Sequence, residues 1–157
     1  MVYPINYKNI GTDTEFCPEL HAMYREAIGY LQSFIWCRAV KDCFLYTNLG
    51  SVFCIFLFEI ENTQSTNDNF LWVITGDIPP MYLDVHGCLT TRSAIKSYIA
   101  LAKQWVENVK NGKSLTDCYP LNAAPTIELA KMLEKRIAFI EYTLMDNVDD
   151  LSWQIGK

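Results

Sequence analysis

Ser51-Val52-Phe53-Cys54-Ile55-Phe56-Leu57-Phe58-Glu59-Ile60 decides the fold. The run is rich in aromatic and β-branched residues and apolar on both alternating faces. That predicts a strand covered on both sides until Glu59 and Glu61 emerge into water. It is the expected central strand. Phe44-Leu45-Tyr46 precedes it as another strand, with Thr47-Asn48-Leu49-Gly50 as the turn between them.

On the other side, residues 62–69 (NTQSTNDN) contain no apolar residue. Their side chains bond their own backbone, so an exposed hairpin loop is expected there, and it is the candidate mobile segment. Phe70-Leu71-Trp72-Val73-Ile74-Thr75 then reads as a third, antiparallel strand, stopped by Gly76-Asp77 and by Pro79-Pro80, which cannot donate to a ladder.

Helical periods flank this β region. Pro18 suits a first helical position and Glu19 the positive helix end. Leu20, Tyr24, Ala27, Ile28, Leu31, Phe34 and Ile35 then recur at three-and-four spacing. This helix either continues through Trp36 to Asp42 or breaks into a second short helix near Ser33. Another helix starts at Thr90 or Thr91, whose hydroxyl can cap it, and buries Ile95, Tyr98, Ile99, Ala102, Trp105, Val106 and Val109 before Asn111-Gly112. The last runs from about Pro125 to Met145 on Ile127, Ala130, Leu133, Ile137, Ile140 and Leu144.

The expected fold is α+β, a small antiparallel sheet of about three strands packed against three helices in the order α-β-β-β-α-α. At 157 residues a single domain over residues 1–157 is expected. The N-terminal segment and an acidic tail after Asp146, which carries Trp153, are the candidates for flexible ends.

With 13 basic and 18 acidic side chains the formal charge is −5, which disfavours nucleic acid and anionic membrane surfaces as partners; it would speed encounter with a cationic partner, and a charge this modest is also what solubility alone requires. Val52 to Phe58 is the longest apolar stretch, too short to span a bilayer, and residues 1–8 do not read as a secretory signal. Six cysteines, Cys17, Cys37, Cys43, Cys54, Cys88 and Cys118, lie mostly in apolar segments without a C-x-x-C spacing. Free, mostly buried thiols in a reducing cytoplasm are expected, with Cys88 and Cys118 the two to test for reactivity.

Catalytic constellations are thin. His86-Gly87-Cys88 puts a base beside a thiol in sequence, but proximity in a loop does not make a dyad. Cys17 and His21 could face one metal together with His86 and Cys88 if Cys17 were helical, whereas Pro18 points to capping or packing. Glu59 and Glu61 share a strand face at its solvated end, where carboxylates are ordinarily exposed. No phosphate-binding or metalloprotease motif occurs. No metal and no cofactor are expected.

The stretch that reads as a specified loop is Trp72-Val73-Ile74-Thr75-Gly76-Asp77-Ile78-Pro79-Pro80-Met81-Tyr82-Leu83. Gly76 supplies positive φ or close approach, Asp77 bonds a following amide and Pro79 stiffens the exit. Its bland reading is a turn from the sheet into the next helix.

This run, followed by Thr91-Arg92-Ser93-Ala94-Ile95 and Trp105, resembles a family of small bacterial proteins of unknown function. The family has a W-x-I-[ST]-G-D-[IL]-P signature, a following tyrosine and a T-P-R-E-A-L-like helix start. The likeness covers about residues 70–106. Arg92 directly follows Thr91 without the proline, and Ser93 replaces the acidic residue. The resemblance implies a bacterial α+β protein, assigns no reaction, and makes Asp77 the matching position for an exposed loop aspartate.

Two functions remain. A protein-binding module of the immunity, antitoxin or adaptor kind fits the acidic charge and the many Tyr and Trp side chains. A small enzyme or ligand-binding domain would use a pocket at the Gly76–Asp77 turn. The candidate binding residues are Trp72, Asp77, Tyr82, His86 and Arg92; no catalytic residue is assigned. The expected partner is another protein, and a homo-oligomer is compatible with the sequence.

Overall fold

The central run does become the middle of a sheet. The computed structural model describes residues 3–10, 19–65 and 67–156. Its elements are β1 (Ile5–Asn6), α1 (Tyr7–Ile10), α2 (Glu19–Gln32), β2 (Cys37–Leu49), β3 (Phe53–Asn62), β4 (Phe70–Gly76), β5 (Met81–Asp84), α3 (Thr91–Lys110) and α4 (Ile127–Phe139). The five strands form one antiparallel meander in the order β1-β2-β3-β4-β5.

Period two on β3 sorts its side chains to two cores. Phe53, Ile55 and Leu57 join Tyr46, Trp72 and Ile74 against Ala94, Tyr98 and Trp105 of α3 and Leu133 of α4. Cys54, Phe56, Phe58 and Ile60 join Leu45 and Val73 against Leu20, Ala27 and Leu31 of α2. Helices therefore cover both faces, as a strand apolar on both alternations requires. Losing one buried ring here, as in Phe56→Ala, costs about 3–5 kcal/mol.

Among the described residues there are five strands and four α-helices, against the expected three and three. β1 is only two residues long, too short for any period to register. β2 begins at Cys37, so residues 37–42 are strand and neither helical alternative holds; α2 ends at Gln32, and Ile35 is 92% exposed. Two register shifts, between Cys37 and Ala39 and between Val40 and Asp42, break the alternation there, and a third follows between Leu45 and Thr47. β5 follows Pro80 directly and pairs only with β4, a place on the sheet edge that tolerates the preceding proline. The start of the first helix, at Pro18, lies outside the described residues.

Thr90 is the cap of α3. Its Oγ1 accepts from Ser93 N, and Ser93 Oγ accepts from Thr90 N at 2.9 Å. Ser93 thus serves the reciprocal bond that an acidic residue commonly makes. α4 starts one residue after its cap Thr126 and widens into a π-helical turn over Ile140–Leu144. Of its predicted stripe only Ile127 fails, being exposed, while Ala130, Leu133, Ile137, Ile140 and Leu144 are buried.

The chain then crosses back over the start of α3. Buried Thr91 donates from Oγ1 to Asp149 O at 2.7 Å and accepts from Leu151 N at 3.0 Å. Tyr46 Oη donates to Trp153 O at 2.7 Å, and Trp153 is buried against Phe70 and His86. No helix among the described residues is long and apolar enough to cross a membrane.

Candidate functional site

The Gly76–Pro80 turn is fixed by backbone packing. Gly76 has φ +138°, and a Cβ there would lie 2.2 Å from Val52 O. Only glycine lets β4 close onto the turn between β2 and β3. Asp77 N then donates to Val52 O at 2.9 Å, and Pro79 O accepts from Tyr98 Oη at 2.8 Å. The Asp77 carboxylate is exposed and meets Arg136 Nη2 of α4 at 2.5 Å.

Beside this turn lies an open cavity of about 290 Å³, walled by Ile78, Pro79, Trp105, Leu129, Met132 and Leu133, with Asp77 and Arg136 at its rim. Leu129 and Met132 are 37% and 55% exposed. A second hollow of about 590 Å³ shares Ile78, Pro79 and Leu129 and extends to Gly29 and Tyr30 of α2. The turn is thus a ridge between two hollows.

An aromatic row continues from Tyr30 along the β5 edge. Tyr30 meets Phe34 edge-on at 5.2 Å and Tyr82 at 6.3 Å, and Tyr82 meets Trp36 at 5.1 Å. Tyr119 Oη donates to Tyr82 O at 2.9 Å and accepts from Tyr82 N at 3.2 Å, so one phenol occupies backbone groups that an added strand would use. Burial pushes the Tyr119 phenol above its ordinary range, and the hydroxyl of Tyr30, 3.4 Å away, adds to this. The hydroxyl stays protonated and able to donate.

The five residues singled out in the sequence do not converge. Trp72 is fully buried, with Nε1 donating to Cys88 O at 2.6 Å and Tyr46 packed edge-on against its ring. Asp77 sits at the Gly76 end of β4. Asp84, which precedes His86, pairs with Leu71 at the opposite end of β4. There His86 lies exposed against Trp153 at 5.9 Å, and Arg92 donates from Nε to Val148 O at 3.2 Å. Tyr82 faces the edge between them. Asp77 and Arg136 are the pair the structure brings together, and Arg136 gives no signal in sequence beyond being one of three cations on a helix. Leu129 and Met132 are legible in sequence only as apolar residues off the buried stripe.

The thiols are held by their surroundings as buried neutral groups. Burial pushes the Cys54 thiol up to about 12 and raises Cys37 and Cys43 as well, which keeps them as unreactive thiols. Cys88 is buried with Sγ 3.2 Å from Ser97 Oγ, while the His86 ring rests on Trp153, so the two are turned to different neighbours. Cys118 is also buried. Cys17, the other half of the pair with His21, lies outside the described residues. Glu61 is engaged by Arg38 at 3.6 Å in an exposed pair. Among the described residues no group of three or more His, Cys, Asp or Glu side chains is placed to hold a metal ion.

A family model described as a domain of unknown function (DUF4826) matches residues 32–151. No curated protein and no solved structure matches the chain.

Proposed function

The chain belongs to the DUF4826 family of domains of unknown function, and from that premise we propose that it is a protein-binding module of the immunity, antitoxin or adaptor kind and not a catalyst. The observation that carries this reading is the exposed apolar rim, Leu129 and Met132, beside the rigid Gly76–Pro80 ridge. A hollow next to exposed large apolar side chains suits an anchoring side chain from a partner. The fixed Asp77–Arg136 pair supplies the polar rim that gives such contacts orientation. A net charge of −5 favours encounter with a cationic partner. Five unpaired thiols among the described cysteines fit a reducing cytoplasm, and the likeness of the Trp72–Leu83 run to small bacterial proteins fits a bacterial source.

A photo-crosslinking side chain at Met132, introduced in cells of the source organism, tests this. A defined protein should be captured from position 132, and Leu129→Asp should abolish capture while leaving the melting temperature unchanged. Equal capture from the distant exposed position 142, or capture indifferent to Leu129→Asp, would overturn the reading.

The second reading, a small-molecule site, is favoured by one feature: an ion pair at 2.5 Å on the rim of an apolar cavity of about 290 Å³. That volume is close to the lower end of ligand sites, about 300 Å³. A thermal-shift screen of metals, nucleotides and common metabolites separates the two, since a true hit should weaken in Asp77→Ala without loss of the fold.

A further inference from the structure

We propose that the hollow between the 62–69 loop and the β5 edge binds an organic cation, the alkylammonium or guanidinium group of a basic side chain or of a free small molecule. The hollow measures about 220 Å³ and is lined by Trp36, Tyr82, Asp68 and Asp84 among others. One water occupies roughly 30 Å³, so a group of several heavy atoms fits. The site uses none of the residues of the Gly76–Pro80 groove and holds whether or not that groove binds protein.

Each wall is built in advance. Asn62 organises the loop: its Oδ1 accepts from Gln64 N at 2.9 Å and Ser65 N at 3.1 Å, and its Nδ2 donates to Asp68 O at 3.2 Å. These bonds position Asp68, one of the lining residues, through its backbone. Across from it, Asp84 Oδ1 accepts from His86 N at 3.0 Å, which orients that carboxylate. Phe34 stacks on Trp36 at 5.0 Å, Tyr82 meets Trp36 edge-on, and the Tyr119 hydroxyl holds the backbone of Tyr82.

The chemistry of this lining selects the ligand class. Neither Asp68 nor Asp84 enters an ion pair among the described residues, and Arg38, on the strand following Trp36, is engaged by Glu61. Two carboxylates bordering one hollow repel an anion, and a neutral apolar ligand would strip water from them without compensation. A hard metal ion asks for six or more oxygen ligands and gains little from indole and phenol rings. An alkylammonium or guanidinium group gains from both, since ring faces attract it and carboxylates neutralise it.

Titration of the ¹⁵N-labelled chain tests the assignment, with tetramethylammonium chloride, arginine amide and a short Lys/Arg-rich peptide as probes and sodium chloride at matched ionic strength as reference. Saturable shifts are expected at the Trp36 indole N–H and at the Ser65 and Asp84 amides, with a Kd on the order of 1 mM for the small cations. The Asp68→Asn/Asp84→Asn double variant, which keeps an acceptor for His86 N, should weaken binding about tenfold. Trp36→Leu should weaken it similarly, and the double variant carries the test should that change disturb the fold. Equal affinity for small cations and peptide assigns a free ligand; much tighter peptide binding assigns a basic side chain of a partner. Shifts that only reproduce those of sodium chloride, or an affinity unchanged in the double variant, would overturn the proposal.

Discussion

The two connections at the ends of β4 are built in opposite ways. At one end, Gly76 and Asp77 are pressed against the backbone of Val52, and the turn keeps its shape because no side chain fits there. At the other, the loop is shaped by polar bonds that the Asn62 side chain makes to the backbone of Gln64, Ser65 and Asp68. The Gly-Asp-Ile-Pro run is accounted for by packing, and what it offers for binding is the apolar surface beside it. The loop, without any apolar residue, frames a hollow whose carboxylates enter no ion pair among the described residues.

The largest effect should come from Gly76→Ala. A Cβ 2.2 Å from Val52 O at φ +138° combines backbone strain with a collision, so a loss of about 3 kcal/mol or more is expected in chemical denaturation. A loss under about 1 kcal/mol would mean the two ends of β4 are equally pliable, and the contrast between them would collapse. Next is Asn62→Ala, which removes three loop bonds and should cost about 1–2 kcal/mol while weakening cation binding, because Asp68 is no longer held. If stability falls but cation affinity does not, the loop is structural and the hollow is not its product. Tyr119→Phe should cost about 1 kcal/mol and speed amide exchange at Tyr82 N, the group that its hydroxyl covers. The smallest change is expected for Asp77→Ala, below about 1 kcal/mol, since it removes one exposed ion pair from a turn that the backbone already fixes.

Those elements whose side chains repeat without interruption are legible in the amino-acid sequence itself. β3, β4 and the stripes of α3 and α4 each present a clean period, and burial on both faces of β3 is readable from its own alternation. The first half of β2 is not, because two register shifts scramble its alternation and Arg38 and Lys41 face water like helix-surface residues. β5 hides behind two prolines, and its four residues supply only Met81 and Leu83 as buried positions. The role of Trp153 depends on Tyr46 and Phe70, more than eighty residues earlier. The candidate site residues follow the same rule. Gly76, Asp77 and Tyr82 stand in one run and can be singled out. Trp36, Asp68 and Asp84 come from three separate segments that only the meander brings to one hollow.

Hydrogen–deuterium exchange of the chain alone and bound to the protein captured from position 132 shows whether the Gly76–Pro80 ridge is the docking face. Slowed exchange is expected at residues 76–80 and 127–133, with the 62–69 loop joining them when the partner brings a basic side chain to the hollow. Protection confined to the outer groove between α3 and α4, around Lys103 and Lys110, with the Gly76–Pro80 turn unchanged, would contradict it.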